Sequence, residues 1–180
     1  MKHRIFVANR GEIAVRIIEA CDRLGYDTVL GVSSADKDTL GARRAGRVVT
    51  IGGPRPADSY LNMNAVVQAA ISTGCTAIHP GYGFLSERPA FAELCAENGL
   101  TFVGPSPEAL RALGDKLTAR RLAESVDVPV SAGGTAQTAE ELQQLAERIG
   151  YPVLIKAAHG GGGRGMKLVE STTELAEAWQ

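Results

Sequence analysis

Short β-rich runs alternate with amphipathic helical patterns through the first hundred residues, and this alternation constrains the fold more than any other feature. Residues 5–8 predict a strand. Residues 12–24 then carry apolar side chains at helical spacing and end before Gly25, a usual C-terminal residue of helices. Strands that alternate with helices are typical of a parallel sheet covered by helices. The sequence therefore predicts an α/β fold that begins with a Rossmann-like unit.

The same periodicity defines the remaining elements. Further strands are predicted at 28–32, 48–51, 77–79 and 101–103, with helices at 61–72 and 90–98 and a linker at 40–46. Two consecutive helices follow at 107–113 and 115–125, and Pro129 with Gly133 marks a boundary. Beyond it we expect a helix behind the capping box Thr138/Glu141, strands at 152–158 and 167–169, and a helix opened by a second box, Ser171/Glu174. Because that helix is cut short at Gln180, we expect a truncated second domain.

Charge, hydropathy and cysteine spacing argue against a nucleic-acid-binding module, a membrane span and a CxxC zinc or redox site. The chain has 19 basic and 20 acidic side chains, a net charge of −1, whereas nucleic-acid modules normally show a basic excess. Its apolar runs are far shorter than the roughly 18 residues of a membrane span. The three cysteines lie far apart without a CxxC pair, so we expect small buried side chains in a reducing, cytoplasmic setting.

The segment 160–165 is the strongest local signal, with five glycines in six positions between two predicted strands. Glycine lets backbone N–H groups approach phosphate oxygens, because no Cβ stands in the way. The GxGxxG spacing is present, but a dinucleotide fingerprint needs a helix directly after the loop. A Walker loop needs Gly-Lys-Ser/Thr, and an HGGG oxyanion loop needs a GxSxG serine, and the chain has neither. The interpretation left by these exclusions is a flap that covers a nucleoside triphosphate. The alternative is a surface hairpin that binds no ligand.

Two lysines favour the flap. Lys156 ends an apolar strand just before the glycines, and Lys116 follows Gly114-Asp115 at a predicted helix start. An ammonium group is a point charge that suits phosphate binding. Each lysine taken alone has an ordinary alternative to phosphate binding. Lys156 could be a strand-end lysine that extends its ammonium group into water, and Lys116 could be a surface lysine.

Six sequence blocks resemble, in order, the N-terminal part of biotin carboxylase, the ATP-grasp subunit or domain of acetyl-CoA, propionyl-CoA and pyruvate carboxylases. The blocks are NRGEIAVRII (9–18), SYLN (59–62), AIHPGYGFLSE (77–87), FVGPSPEA (102–109), GDK (114–116) and YPVLIKAAHGGGGRGMK (151–167). They extend over nearly the whole chain. Any one block is weak, but six in order are specific.

The resemblance implies a division of the chain and a set of site residues. Residues 1–113 would form a Rossmann-like pre-ATP-grasp domain, residues 114–130 connecting helices, and residues 131–180 the first half of an ATP-grasp lid domain, left incomplete. The implied ATP-binding residues are Lys116, Lys156, Gly161, Gly162, Gly163 and Met166. Tyr82, Gly83 and Glu87 resemble residues on the biotin and bicarbonate side, although glycine and proline there would equally shape an ordinary turn.

For the complete enzyme the resemblance implies an ATP-dependent ligase that uses Mg²⁺. Bicarbonate would attack the γ-phosphate of ATP to give carboxyphosphate, and N1 of biotin on a carrier protein would capture the CO₂. The implied partners are the biotin carboxyl carrier protein, the carboxyltransferase subunit and a second copy of the chain, as in acyl-CoA carboxylation for fatty acid biosynthesis. Arg16 on the first helix would lie near a dimer interface, with an exposed helix arginine as the alternative.

Part of the family's machinery is expected outside these 180 residues. The resemblance puts two Mg²⁺-binding glutamates, a bicarbonate-binding arginine and the catalytic base beyond Gln180, so we expect no metal ligand here and no complete reaction by this chain alone. Residues 40–46 lack the histidine and acidic residues of the family, which bears on the subfamily. Two other functions stay open: another ATP-grasp ligase of the carbamoyl-phosphate or purine-pathway type, and a non-catalytic nucleotide-binding fragment.

Overall fold

Five apolar segments form one parallel sheet in the first part of the molecule. The computed structural model describes residues 3–156 and 166–179. The strands are β1 (Arg4–Val7), β2 (Asp27–Ser33), β3 (Arg47–Gly52), β4 (Ala77–His79) and β5 (Thr101–Phe102). They pair in the order β3-β2-β1-β4-β5, with every pair parallel. The order reverses between β1 and β4, and open α/β sheets bind ligands at such a switch point, at the carboxyl ends of the strands.

The first four helices cover both faces of this sheet, and two further helices follow them in the chain. In chain order, the helices are α1 (Gly11–Arg23), α2 (Leu40–Arg44), α3 (Met63–Ser72), α4 (Pro89–Glu97), α5 (Pro107–Gly114) and α6 (Lys116–Ser125), with a 3-10 turn at Pro56–Asp58. Successive strand residues point to opposite faces. Phe6 accordingly packs in a core with α3 and α4, and Val7 packs in a second core with α1. Burial on both faces explains why the strands are continuous apolar runs.

The predicted α/β fold is confirmed, and most predicted elements lie within two residues of the observed ones. The linker predicted at 40–46 is wrong, because residues 40–44 form α2. Thr39 caps this helix and its side chain accepts a hydrogen bond from the Ala42 N–H. Gly41 allows the helix to lie close to the sheet and α1: a Cβ there would be 3.3 Å from Leu30 Cδ2 and 3.4 Å from Ala14 Cβ.

A second compact unit begins at Ala123, inside the predicted connecting segment 114–130. It contains α7 (Ala139–Ile149), β6 (Val153–Lys156), β7 (Met166–Val169) and α8 (Thr172–Ala178). The two strands form an antiparallel hairpin. One face of the hairpin packs on the helices around three buried side chains, Ala146, Val169 and Leu175.

The two predicted capping boxes have different outcomes. Thr138 caps α7 by accepting a hydrogen bond from the Glu141 N–H at 3.2 Å. At α8 the predicted Ser171 cap is wrong, because its side chain accepts no hydrogen bond from the helix. The Glu174 carboxylate instead accepts one from the Glu170 N–H at 2.9 Å, so the acidic member of the box alone restrains this helix start.

The three cysteines are free and buried, as predicted, and burial raises the pKa of the Cys95 thiol to about 11. Within residues 3–156 and 166–179, no helix has the length and apolar character needed to cross a bilayer. The same residues contain no group of three or more histidine, cysteine or acidic side chains arranged to hold a metal ion.

Candidate functional site

An open cleft of about 360 Å³ lies at the switch point of the sheet. One wall is the start of α1, directly after β1, and the other is the loop that follows β4. Its lining residues are Asn9, Arg10, Gly11, Glu12, Ile13, Tyr82, Gly83 and Phe84. The cleft is therefore built from two of the blocks on which the family resemblance depends.

Asn9 joins the two walls. Its buried side chain donates from Nδ2 to the carbonyl oxygens of Pro80 at 2.7 Å and Tyr82 at 2.8 Å, and its Oδ1 accepts from the Arg10 N–H. Gly81 lies against this amide with φ of +66°, and a Cβ there would be 2.7 Å from Asn9 Nδ2. The loop shape thus depends on a glycine and on a fully used asparagine amide.

His79, the last residue of β4, holds the loop that follows this strand. Its Nδ1 accepts a hydrogen bond from the Gly81 N–H at 3.1 Å. Burial lowers the pKa of the imidazole. The neutral ring, with the proton on Nε2, is therefore the form that holds the turn.

The three residues predicted on the biotin and bicarbonate side lie on this loop. Tyr82 is 64% exposed, and its hydroxyl donates to Glu12 Oε1 at 2.9 Å across the cleft. This hydrogen bond and the Glu12 charge raise the pKa of the phenol. Gly83 lines the cleft with φ of +68°, whereas Glu87 is exposed and does not line it.

A polar and aromatic cluster beside the cleft was not predicted from the sequence. The Asp36 carboxylate accepts hydrogen bonds from Ser33 Oγ at 2.5 Å and from the Tyr60 hydroxyl at 2.8 Å. Arg10 Nη1 lies 3.6 Å from the same carboxylate, and its guanidinium lies over the rings of Tyr60 and Phe84. Arg10 and Tyr60 belong to the NRGE and SYLN blocks, but nothing in the order of the residues indicates that they meet.

The cluster keeps one fixed charge state near neutral pH. Burial would raise the pKa of the Asp36 carboxyl, but hydrogen bonds from Ser33 and Tyr60 and the charge of Arg10 outweigh it and lower that pKa. Burial and the neighbouring Asp36 charge raise the pKa of the Tyr60 phenol to about 12. Asp36 is therefore an anion and Tyr60 a neutral donor, which the hydrogen bonds require.

A second candidate surface lies on the β6–β7 hairpin. Cross-strand partners share a face of a sheet, and the observed register pairs Leu154 with Leu168 and Lys156 with Met166. Leu154, Met166 and Leu168 are 59%, 48% and 56% exposed, and Lys156 is exposed beside them. The opposite face packs on α7 and α8. The hairpin thus presents three exposed apolar side chains and one exposed ammonium group on a single face.

The other predicted ATP-binding residues have different positions. Lys116 is exposed in the first turn of α6, behind Asp115, whose Oδ1 accepts a hydrogen bond from the Thr118 N–H at 2.8 Å. It belongs to the first compact unit, whereas Lys156 and Met166 are brought together in the second. Gly161, Gly162 and Gly163, with the rest of the predicted flap 160–165, lie outside the described residues.

The α/β arrangement of a parallel sheet followed by a helix-backed hairpin is shared with solved biotin carboxylase structures, which have ATP-grasp architecture. Residues 1–110 match the model of the biotin carboxylase N-terminal domain. Residues 115–180 match that of the ATP binding domain of the carbamoyl-phosphate synthase L chain. The chain belongs to the biotin carboxylase family.

Individual relatives are similar to this chain over nearly its whole length. The biotin carboxylase of Nostoc sp. is 48% identical over 176 residues, which is 97% of this chain and 39% of that protein. The biotin carboxylase of Campylobacter jejuni, solved with β-γ-ATP, superposes with a TM-score of 0.91 at 43% identity, over 99% of this chain and 41% of that one. The biotin carboxylase domain dimer of Hydrogenobacter thermophilus 2-oxoglutarate carboxylase, solved with MgADP, ADP and bicarbonate, gives 0.87 at 40% identity, over 99% and 40%. This chain spans about two fifths of the length of each.

Proposed function

We propose that this chain supplies the nucleotide-binding front part of a biotin carboxylase, which uses ATP, Mg²⁺ and bicarbonate to carboxylate biotin on a carrier protein. The observation that carries the proposal is the exposed hairpin face of Leu154, Lys156, Met166 and Leu168. The ligands in the two solved relatives, a nucleotide in both and bicarbonate in one, support it.

The side chains of the hairpin face suit nucleotide binding. Its leucine and methionine side chains offer apolar surface to a purine ring, and thioether sulfur packs favourably on aromatic rings. Lys156 stands at the end of β6 nearest the glycine segment, where its charge would meet phosphate oxygens. The hairpin face therefore combines apolar side chains with one positive charge, which suits a nucleotide, because a nucleotide has an apolar base and charged phosphates.

In phosphoryl transfer, the protein must neutralise the negative charge that spreads over the oxygens of the transferring group. We assign that role to Lys116, Lys156 and the backbone of Gly161, Gly162 and Gly163. A cation in the first turn of a helix opposes the helix dipole, so Lys116 occupies a position that stability alone does not favour. This supports a role for Lys116 in binding an anion.

On the other side of the reaction we assign Tyr82, Gly83 and Glu87 to the region that receives biotin and bicarbonate. The switch-point cleft supports this, because it is the ligand-binding edge of an open α/β sheet. The domain division is proposed as 1–113, 114–130 and 131–180. We further propose a cytoplasmic enzyme that acts with a biotin carboxyl carrier protein and a carboxyltransferase, as a homodimer with Arg16 near its interface.

The assignment is tested by removing the hairpin ammonium in the full-length enzyme that carries this chain. Lys156→Ala should weaken ATP binding by about ten- to a hundredfold in equilibrium titration, because a charge-assisted hydrogen bond is lost. Lys167→Ala is the matched control. Lys167 is the neighbouring lysine of β7, and it alternates to the opposite face of the hairpin.

Unchanged ATP affinity in Lys156→Ala, or an equal loss in Lys167→Ala, would contradict the assignment of the hairpin face. A carbamoyl-phosphate or purine-pathway ligase would share the lysine effect, but its ATP turnover would require an amine or nucleotide substrate and ignore biotin.

A further inference from the structure

We propose that Arg10 is a positioning residue for the acceptor side of the reaction, because it holds Phe84 and so fixes the loop that presents Tyr82 and Gly83 to the cleft. The inference rests on the proposed function only in assigning that loop to biotin and bicarbonate. The contacts themselves stand on the geometry of the first unit.

The Arg10 side chain makes three contacts at once. Its guanidinium carbon lies 5.5 Å from the centre of the Tyr60 ring and 5.6 Å from that of the Phe84 ring, and Nη1 lies 3.6 Å from Asp36 Oδ2. The two rings are themselves stacked, with centroids 5.0 Å apart and planes 14° from parallel. A cation within about 6 Å of an aromatic centroid is attracted by the ring quadrupole. One guanidinium therefore holds both members of the stack.

Phe84 is a residue that needs such support. Its backbone has φ of +43°, in the left-handed region that a bulky side chain rarely adopts. Conformations of this kind persist only where the surroundings over-determine them, and they concentrate at functional sites. Tyr82, Gly83 and Phe84 are consecutive and all line the cleft. A Phe84 free to relax would therefore move the two residues assigned to the acceptor side.

Tyr60 and Asp36, the other partners of Arg10, are held firmly by hydrogen bonds, so Arg10 can restrain Phe84 against a fixed support. Tyr60 is buried to 1% exposure, and its hydroxyl accepts a hydrogen bond from the Ser33 N–H while donating to Asp36. Asp36 is held in turn by Ser33 Oγ. Arg10 thus links a fixed base at the end of β2 to the loop after β4. Tyr60 and Asp36 do not line the cleft, whereas Arg10 and Phe84 do. Arg10 contacts the Phe84 ring, and it acts on the loop through that contact.

The test compares Arg10→Met and Arg10→Lys in the full-length enzyme, with free biotin as the acceptor. Methionine keeps the length of the side chain but loses the charge, the cation–π contacts and the ion pair. Arg10→Met should raise KM for biotin about fivefold or more and leave KM for ATP unchanged, and Arg10→Lys should restore part of the loss. Hydrogen exchange of the amides in residues 80–88 should speed up in Arg10→Met.

Arg44→Met is the matched control. Arg44 forms an ion pair with Glu19 at similar exposure, between α2 and α1 and away from the cleft lining. It should change neither KM nor the exchange of residues 80–88. Removing an ion pair of this kind costs little by itself.

An unchanged KM for biotin in Arg10→Met overturns the proposal, and so does an equal rise in both KM values, which a merely structural role predicts. If Arg10→Met fails to fold, Arg10→Lys decides by the same comparison. A wild-type enzyme that ignores biotin contradicts the proposed function instead. Exchange of residues 80–88 then decides alone whether Arg10 holds the loop.

Discussion

Gly81 is the position where a single methyl group would disturb the cleft most. Its φ of +66° disfavours any side chain, and a Cβ would lie 2.6 Å from Ile13 Cγ2 and 2.7 Å from Asn9 Nδ2. We expect Gly81→Ala to lower the free energy of unfolding by about 2 to 4 kcal/mol, measured by urea denaturation. Gly83→Ala is the matched control, because its φ is +68° but nothing lies within 4 Å. It should cost only about 1 kcal/mol, and equal losses at the two sites would show that the clash is absent.

His79 gives the loop a pH dependence whose sign follows from its burial. The folded state lowers the pKa of the imidazole below its ordinary value of 6.5, so the unfolded chain binds more protons in the interval between the two values. The stability due to neutral His79 is present above the ordinary pKa and is lost as the pH falls through the folded one.

His79→Asn isolates this effect, because an asparagine Oδ1 can accept the Gly81 N–H bond without titrating. Between about pH 7.5 and about pH 5.5 the urea midpoint should fall less in His79→Asn than in the wild type. A parallel fall in both proteins would mean that His79 carries none of the dependence.

The sequence predicted site residues where chemistry and spacing are local, and missed those where contacts are distant. Lys156 directly precedes the glycine segment, so the residue pattern predicted a phosphate-binding flap there, whereas Met166 was predicted only through the family resemblance. Arg10, Asp36 and Phe84 meet only because parallel strands bring three carboxyl ends to one edge. No periodicity carries that information, and Arg10 was therefore not predicted.

At the scale of elements, the β6–β7 hairpin has one face packed on helices and one exposed face, to which we assign nucleotide binding. Val169 is buried against α7 and α8, whereas Leu168, its neighbour in sequence, is on the exposed face. Val169→Ala should lower the free energy of unfolding of the second unit by about 1.5 to 3 kcal/mol and leave nucleotide contacts in place. Leu168→Ala should change stability by less than about 0.5 kcal/mol but weaken ATP binding.

Both quantities are measured on the same two variants, stability by thermal unfolding and affinity by titration with ATP. The reverse pattern, with Leu168→Ala destabilising and Val169→Ala weakening ATP binding, would mean that the two faces have been exchanged.

Elements with a strong apolar period were predictable, and β4 matches its predicted bounds, 77–79. The short helix α2 was missed because its five residues include a glycine and too few apolar side chains to show a period. Ser171 was predicted as a cap from residue type. Capping, however, depends on side-chain geometry, which puts Glu174 in contact with the chain before the helix instead.

At the scale of the whole molecule, the parallel sheet followed from the alternation of strands and helices, but its strand order did not. The order β3-β2-β1-β4-β5 depends on which way each crossover turns, and it creates the cleft between β1 and β4. The family resemblance supplied what periodicity could not, since its blocks coincide with that edge and with the hairpin. The chain contains these two surfaces within about two fifths of the length of its relatives.

We propose that these surfaces serve biotin carboxylation, and the substrates required for ATP cleavage by the native full-length protein decide whether they do. ADP release should require both bicarbonate and biotin, and omission of either should reduce it to a low basal rate. Cleavage that proceeds without biotin and depends on an amine or a nucleotide substrate would contradict biotin carboxylation and assign the chain to a different ATP-grasp ligase.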